Sequence, residues 1–319
     1  MLMTARFVVQ DLVGPLFVHF VPIVMVGGQM LDTLLSGVEH ITHGMTQSAG
    51  ASPFSLSPNI SMWQWKQLVD YHEFRWTVGQ TPFSDLSVII AAWIGYFCTI
   101  GILRIYMYGR DPMKLNTVTA YHNMFLCVIS LAMFVAGAFG TYHRAMSRGI
   151  DEIFCSNDPD GMRGLLPFTL YMYYLSKFIE LFDTIILILK KKPVIFLHWY
   201  HHSIVMLMVW SWLQYDVAFA TQGMIANTLI HVFMYYYYYS SSLGRNVWYK
   251  KYITTGQIIQ FTLSFILSIP YIYFSLQKNC SGWNAFIFSM TINASFLALF
   301  INFYHSAYKP ARHVDKKNQ

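Results

Sequence analysis

Three short stretches of the chain concentrate side chains able to do chemistry. Lys177, Glu180, Asp183 and Thr184 recur at i, i+3, i+6 and i+7, a spacing that lines residues along one face of a helix. The run His198-Trp199-Tyr200-His201-His202 places three imidazoles at spacings of three and four, again on one face. Asn227 and His231 stand four apart and are followed by Met234, Tyr235, Tyr237 and Tyr238. Each set lies in or beside a long apolar run. Ionisable groups in such surroundings are costly and face the interior of a bundle, so the three sets point to one shared polar cavity.

Grouped histidines serve either metal ligation or acyl transfer through a neutral imidazole, which is a competent nucleophile near neutral pH. A nearby carboxylate then orients the ring or moves protons, and Glu180 and Asp183 are such partners. Membrane di-iron oxygenases use several histidine boxes, whereas this chain has one box plus His231. His19, His40, His43, His72, His122, His143, His305 and His313 are scattered and do not rebuild the others. The pattern therefore favours acyl transfer without a metal. A network that merely locks helices together explains any one of these residues, but poorly explains three sets in neighbouring segments.

The surroundings of these residues set the elements that must carry them. Of 319 residues, 55% are hydrophobic and 11% charged, where a soluble chain carries roughly a quarter charged. A hydrocarbon core about 30 Å thick takes about 20 apolar residues to cross as a helix. Long runs without strict alternation read as helices rather than barrel strands. Seven segments qualify: Ser87–Tyr108, Val118–Phe139, Leu165–Leu189, His198–Leu213, Val217–Tyr239, Ile253–Leu276 and Trp283–Tyr304. The expected architecture is all-α and polytopic, with residues 85–305 as one membrane domain. Residues 1–84 form an N-terminal segment of open role and 306–319 a basic tail. Phe7–Met30 is interrupted by Gln10, Asp11, Pro15 and Pro22, so it reads as interfacial or re-entrant. The sequon Asn59-Ile60-Ser61 suits only the lumenal side.

The net charge of +6 matters through its placement. Arg104, Arg110 and Lys114, then Lys190, Lys191 and Lys192, then Arg245, Lys250 and Lys251, collect on one side with the tail. Arg144, Arg148, Arg163 and Lys278 lie on the other. The positive-inside rule puts the richer side and the C-terminus in the cytosol. The partner implied by this charge is a lipid bilayer, not a nucleic acid. Cys98 and Cys127 fall within spans, while Cys155 and Cys280 fall in two non-cytosolic loops where a disulfide can form; two free thiols are the alternative.

In order along the chain, Lys177–Thr184 matches KxxExxDT and His198–His202 matches HxxHH. Asn227, His231, Met234, Tyr235, Tyr237 and Tyr238 match NxxxHxxMYxYY, and Thr254, Gln257, Gln260 and Phe261 match TxxQxxQF. These motifs resemble those of the ELO family of very-long-chain fatty-acid elongases, the membrane 3-ketoacyl-CoA synthases, and the helix pattern extends the likeness from Ser87 to the tail. The resemblance implies condensation of an acyl-CoA with malonyl-CoA to 3-ketoacyl-CoA, CoA and carbon dioxide, with no cofactor. It casts His201 as the nucleophile, although the residues alone do not separate it from His202. His198 and His202 would orient the box, His231 assist decarboxylation, Asn227 hydrogen-bond nearby, and Glu180 and Asp183 set imidazole tautomers, one of them paired with Lys177. Thr184, Tyr235, Tyr238 and Gln257 would meet substrate.

Lys250, Lys251, Thr254 and Arg312 are placed to clamp CoA phosphates, the alternative being ordinary positive-inside residues. Trp199 and Tyr200 resemble the branch handling saturated and monounsaturated chains. Lys316-Lys317 resembles an endoplasmic-reticulum retrieval signal. The implied partners are the ketoacyl-CoA reductase, dehydratase and enoyl reductase of the elongation cycle, and a second copy in a homodimer. A histidine-box oxidoreductase and a seven-helix receptor or transporter are the competing classes; neither requires the four ordered motifs.

Overall fold

The computed structural model describes residues 71–156 and 163–308. Phe7–Met30, the Asn59 sequon, Arg312 and Lys316-Lys317 lie outside the described residues. Within them, each expected segment is a helix: α1 Leu86–Tyr106, α2 Asn116–Arg148, α3 Leu165–Leu189, α4 Phe196–Gln214, α5 Ala220–Ser242, α6 Lys250–Lys278 and α7 Trp283–Tyr308. Helix α2, at 33 residues, extends well past the expected Val118–Phe139. Its extra turns carry Tyr142, His143, Arg144 and Arg148, which leave the apolar stretch but keep helical spacing.

By length and composition α1, α2, α6 and α7 suffice to cross a membrane. Their outward faces are apolar, as at Ile94, Ile102, Ile105, Ile266 and Ile269, all exposed. Contiguous apolar surface of this kind marks contact with lipid or protein rather than water. Helices α3, α4 and α5 hold the charged, histidine and tyrosine residues singled out above.

Contacts between neighbours close six helices into a ring, running α2, α5, α6, α7, α4, α3 and back to α2, while α1 packs outside against α3 and α4. Helix α3 is the most enclosed: every residue from Leu166 to Lys177 is buried. Its first turn contains Pro167, a position where the missing N–H costs nothing. It ends at Lys190 and Lys191, the latter in the left-handed region at φ 51°, with Pro193 beyond preventing continuation. This turn brings the end of α3 against the start of α4, where two of the motifs meet.

The opposite end of the ring is closed by residues ahead of α1. Phe74 stacks on Tyr171 at 5.3 Å between centroids, and Trp76 sets its edge on Tyr174 at 5.9 Å. Trp210 Nε1 donates to the Ser84 carbonyl at 2.7 Å, and Tyr174 Oη to that of Phe83 at 2.9 Å. At this end a Cys155–Cys280 disulfide joins the α2–α3 and α6–α7 connections, with the Cα atoms 5.3 Å apart. Beside it Lys278 donates to Asp151, and that hydrogen bond holds the carboxyl below its ordinary range.

Candidate active site

The ring encloses a cavity of about 430 Å³. Consecutive helices run in alternate directions, so the end of α3 and the starts of α4 and α6 lie at one mouth, where Lys190, Lys192 and Lys250 line the cavity. Deeper in come Asp183, Glu180, the three box histidines, Asn227, His231, Tyr235 and Tyr238. A second, narrower space of about 50 Å³ continues towards the other end among Met208, Trp212, Phe219, Phe286 and Phe296. His201, Asn227, Gln260 and Phe261 line both. The chemistry-bearing groups thus stand where a wide chamber meets a narrower one lined by aromatic and aliphatic side chains.

Each imidazole has a distinct environment. His198 Nε2 shares a 2.8 Å hydrogen bond with Thr184 Oγ1, which is held in turn by Tyr96 Oη at 2.8 Å from α1. His202 Nε2 lies 4.0 Å from Asp183 Oδ2, and His231 Nδ1 lies 3.7 Å from Glu180 Oε1. His201 packs against the Phe296 ring at 5.0 Å and the His202 ring at 5.4 Å, without a hydrogen bond to any described residue. His201 itself lines the cavity.

The charges are balanced locally. Lys177 Nζ donates to Glu180 Oε1 at 2.7 Å and sits over the Tyr173 ring, 4.1 Å from its centroid. Ser176 Oγ adds a 3.3 Å bond to the same Glu180 oxygen. Glu180 Oε2 is buried and has no hydrogen-bond partner among the described residues. Tyr173 Oη donates to Asn227 Oδ1 at 2.8 Å, fixing which side of that amide faces α3.

The structure sorts the remaining expected residues. Lys250, Thr254, Gln257 and Tyr238 line the cavity; Gln257 also reaches the Met234 sulfur at 3.7 Å. Tyr235 lines it too, while its hydroxyl donates to Asp183 Oδ2 at 3.0 Å. Lys177 and Thr184 meet protein groups instead of the cavity, because Lys177 is drawn to Glu180 and Thr184 is clamped between Tyr96 and His198. Lys251 turns over the Tyr304 ring, 5.6 Å from its centroid. Among the described residues no three His, Cys, Asp or Glu side chains converge as a metal site requires.

His122, set above among the scattered histidines, is brought by the fold against the charged stripe of α3. Its Nε2 donates to Asp183 Oδ1 at 2.7 Å. The closed ring brings α2 alongside α3, and no spacing within one helix reports that pairing. A signal did exist, since His122 is an ionisable residue inside the expected span Val118–Phe139. Tyr173, four residues before Lys177 on the same helix face, was likewise legible in retrospect.

The fold and site define a class: an all-helical bundle with a histidine-lined chamber opening at a lysine-rich mouth. This chain belongs to the ELO family (GNS1/SUR4 family), which matches residues 81–317. Similar proteins include fatty acid elongase A of Dictyostelium discoideum, 38% identical over 250 residues covering 76% of this chain and 91% of that one. Very long chain fatty acid elongase 7 of Rattus norvegicus is 32% identical over 268 residues, covering 79% and 90%. Putative fatty acid elongase 1 of Schizosaccharomyces pombe is 36% identical over 263 residues, covering 77% and 76%.

Proposed function

We propose that this protein is a fatty-acid elongase of the acyltransferase class that condenses a long-chain acyl-CoA with malonyl-CoA. The observation that carries the reading is the position of His201. It lines both the wide chamber and the narrow apolar space, and its ring nitrogens are not taken up by described residues. An acyl thioester whose alkyl chain enters the apolar space presents its carbonyl there, with the CoA moiety extending towards Lys190, Lys192 and Lys250 at the mouth.

In the first step the His201 nitrogen attacks the thioester carbonyl. The C–S bond breaks, CoA leaves as a thiolate that takes a proton, and an acyl-imidazole remains. In the second, malonyl-CoA loses carbon dioxide. The electron pair of the broken C–C bond stays on the α-carbon as an enolate, which attacks the acyl carbonyl and expels the imidazole, which takes up a proton from solvent as it leaves. The product is a 3-ketoacyl-CoA two carbons longer. His231 and Asn227 face the second substrate, while Thr184 holds His198 by a hydrogen bond and Asp183 stands beside His202 to balance charge as it moves. No cofactor enters either step.

In this reading all seven helices cross the bilayer of the endoplasmic reticulum. The lysine-rich mouth and C-terminus face the cytosol, and Lys251 adds positive charge on the same side as the CoA. Residues 85–305 form the catalytic domain, between the segment 1–84 and the tail 306–319. The product passes to a ketoacyl-CoA reductase, then to a dehydratase and an enoyl reductase.

The test is intact mass spectrometry of the purified protein incubated with a panel of acyl-CoAs and no malonyl-CoA. An acyl adduct is expected on wild type, absent from His201→Ala and discharged by malonyl-CoA as 3-ketoacyl-CoA appears. Condensation without an adduct would remove the covalent step; absence of condensation would sink the elongase reading.

A further inference from the structure

We infer that His122 is a positioning residue that acts on the histidine box through Asp183. Its assignment to the reaction rests on the reading above, while the geometry stands independently. A carboxylate turns about its last bond unless both oxygens are held. Here Oδ2 accepts from the Tyr235 hydroxyl at 3.0 Å, from α5, and Oδ1 accepts from His122 Nε2 at 2.7 Å, from α2. Two helices therefore fix the plane of a carboxylate carried by a third.

What that plane controls is His202, whose Nε2 lies 4.0 Å from Oδ2. This is longer than a hydrogen bond, and catalytic contacts of this kind commonly tighten only when substrate is bound. All three side chains are mostly enclosed: 13% of His122, 17% of Asp183 and 10% of His202 is exposed. Water is therefore a poor substitute for a lost donor. Thr119 and Asn123, on either side of His122 in α2, line the chamber, so His122 meets the site from its wall. Without the Nε2 donor, Asp183 keeps only Tyr235 and is free to swing with it, and His202 loses its fixed neighbour.

The N–H at Nε2 is the essential feature. Glutamine carries an amide N–H near that place; asparagine places its amide near Nδ1 and falls short. Full-length wild type, His122→Ala, His122→Asn and His122→Gln are compared in two measurements. In condensation assays the alanine and asparagine variants are expected to lose about 10- to 100-fold in kcat, as displacement of a reacting group by about 1 Å does. KM for acyl-CoA stays within about twofold, because uniform binding is untouched. Glutamine restores most of kcat.

The second measurement is the rate at which diethyl pyrocarbonate modifies His202, read by peptide mass, which needs no turnover. That rate is expected to differ from wild type by about threefold or more in His122→Ala and His122→Asn, the scale of one hydrogen bond, and to return in His122→Gln. Wild-type kcat in His122→Ala, or a glutamine variant as slow as the other two, would overturn the inference. If wild type does not condense at all, the elongase reading fails and the labelling pattern alone decides. Glutamine grouping with wild type then supports positioning by His122, and four equal rates refute it.

Discussion

Lys177 and Glu180 form an ion pair with each side chain only 3% exposed. Bringing two charges out of water is costly, and the pair survives because each compensates the other, with Ser176 and the Tyr173 ring adding support. Removing one partner leaves the other without compensation. Lys177→Met is expected to cost about 3–5 kcal/mol of stability, read as a lower thermal midpoint in detergent, and Lys177→Met/Glu180→Gln to recover part of it. Equal midpoints for wild type and Lys177→Met would show that the pair does not hold the bundle. The pairing was legible from i, i+3 spacing within one helix. The His122–Asp183 bond was not, because the two residues are 61 positions apart and meet only once α2 and α3 are packed.

At the scale of elements, the turns that set helix directions are the sensitive points. Gly282, in the short connection from α6 to α7, has φ 81°, and a Cβ there would stand 2.5 Å from Val217 Cγ2 and 2.7 Å from the Tyr215 carbonyl oxygen. That carbonyl belongs to the α4–α5 connection, so a methyl group would push two turns apart. Gly244, between α5 and α6, has a similar φ of 76° but open space around its Cα. Gly244→Ala is expected to cost about 1–2 kcal/mol from backbone strain alone. Gly282→Ala carries that strain together with the clash, and its thermal midpoint is expected to fall clearly further. Matching midpoints would mean that the α4–α5 turn yields without cost. Gly244 and Gly282 fall between expected spans in the sequence; which of them faces another turn is decided by packing.

For the molecule as a whole, the disulfide and the site lie at opposite ends of the ring. Cys155–Cys280 closes a chain separation of 125 residues, for which the loop-entropy model gives about 4–5 kcal/mol. Cys155→Ser/Cys280→Ser is expected to lower the thermal midpoint while leaving acyl-adduct formation intact well below it, because neither cysteine lines the chamber. An unchanged midpoint would show that the aromatic contacts of Phe74 and Trp76 hold this end unaided. Loss of the adduct in a folded variant would show that the two ends are coupled.

Composition and apolar run length determined that the chain is helical, since neither strands nor loops satisfy their backbone groups within such runs. Local spacing determined that Glu180 and Asp183, the box histidines, and Asn227 with His231 share helix faces, because helical geometry converts three and four residues into one side. Relations between helices were decided by packing. The ring placed His201 between the two chambers, turned Lys177 and Thr184 into protein contacts, and brought His122 from the wall of α2 to Asp183. Those outcomes depend on which helices become neighbours and how they are rotated, information spread over contacts along the whole chain rather than held in any one segment.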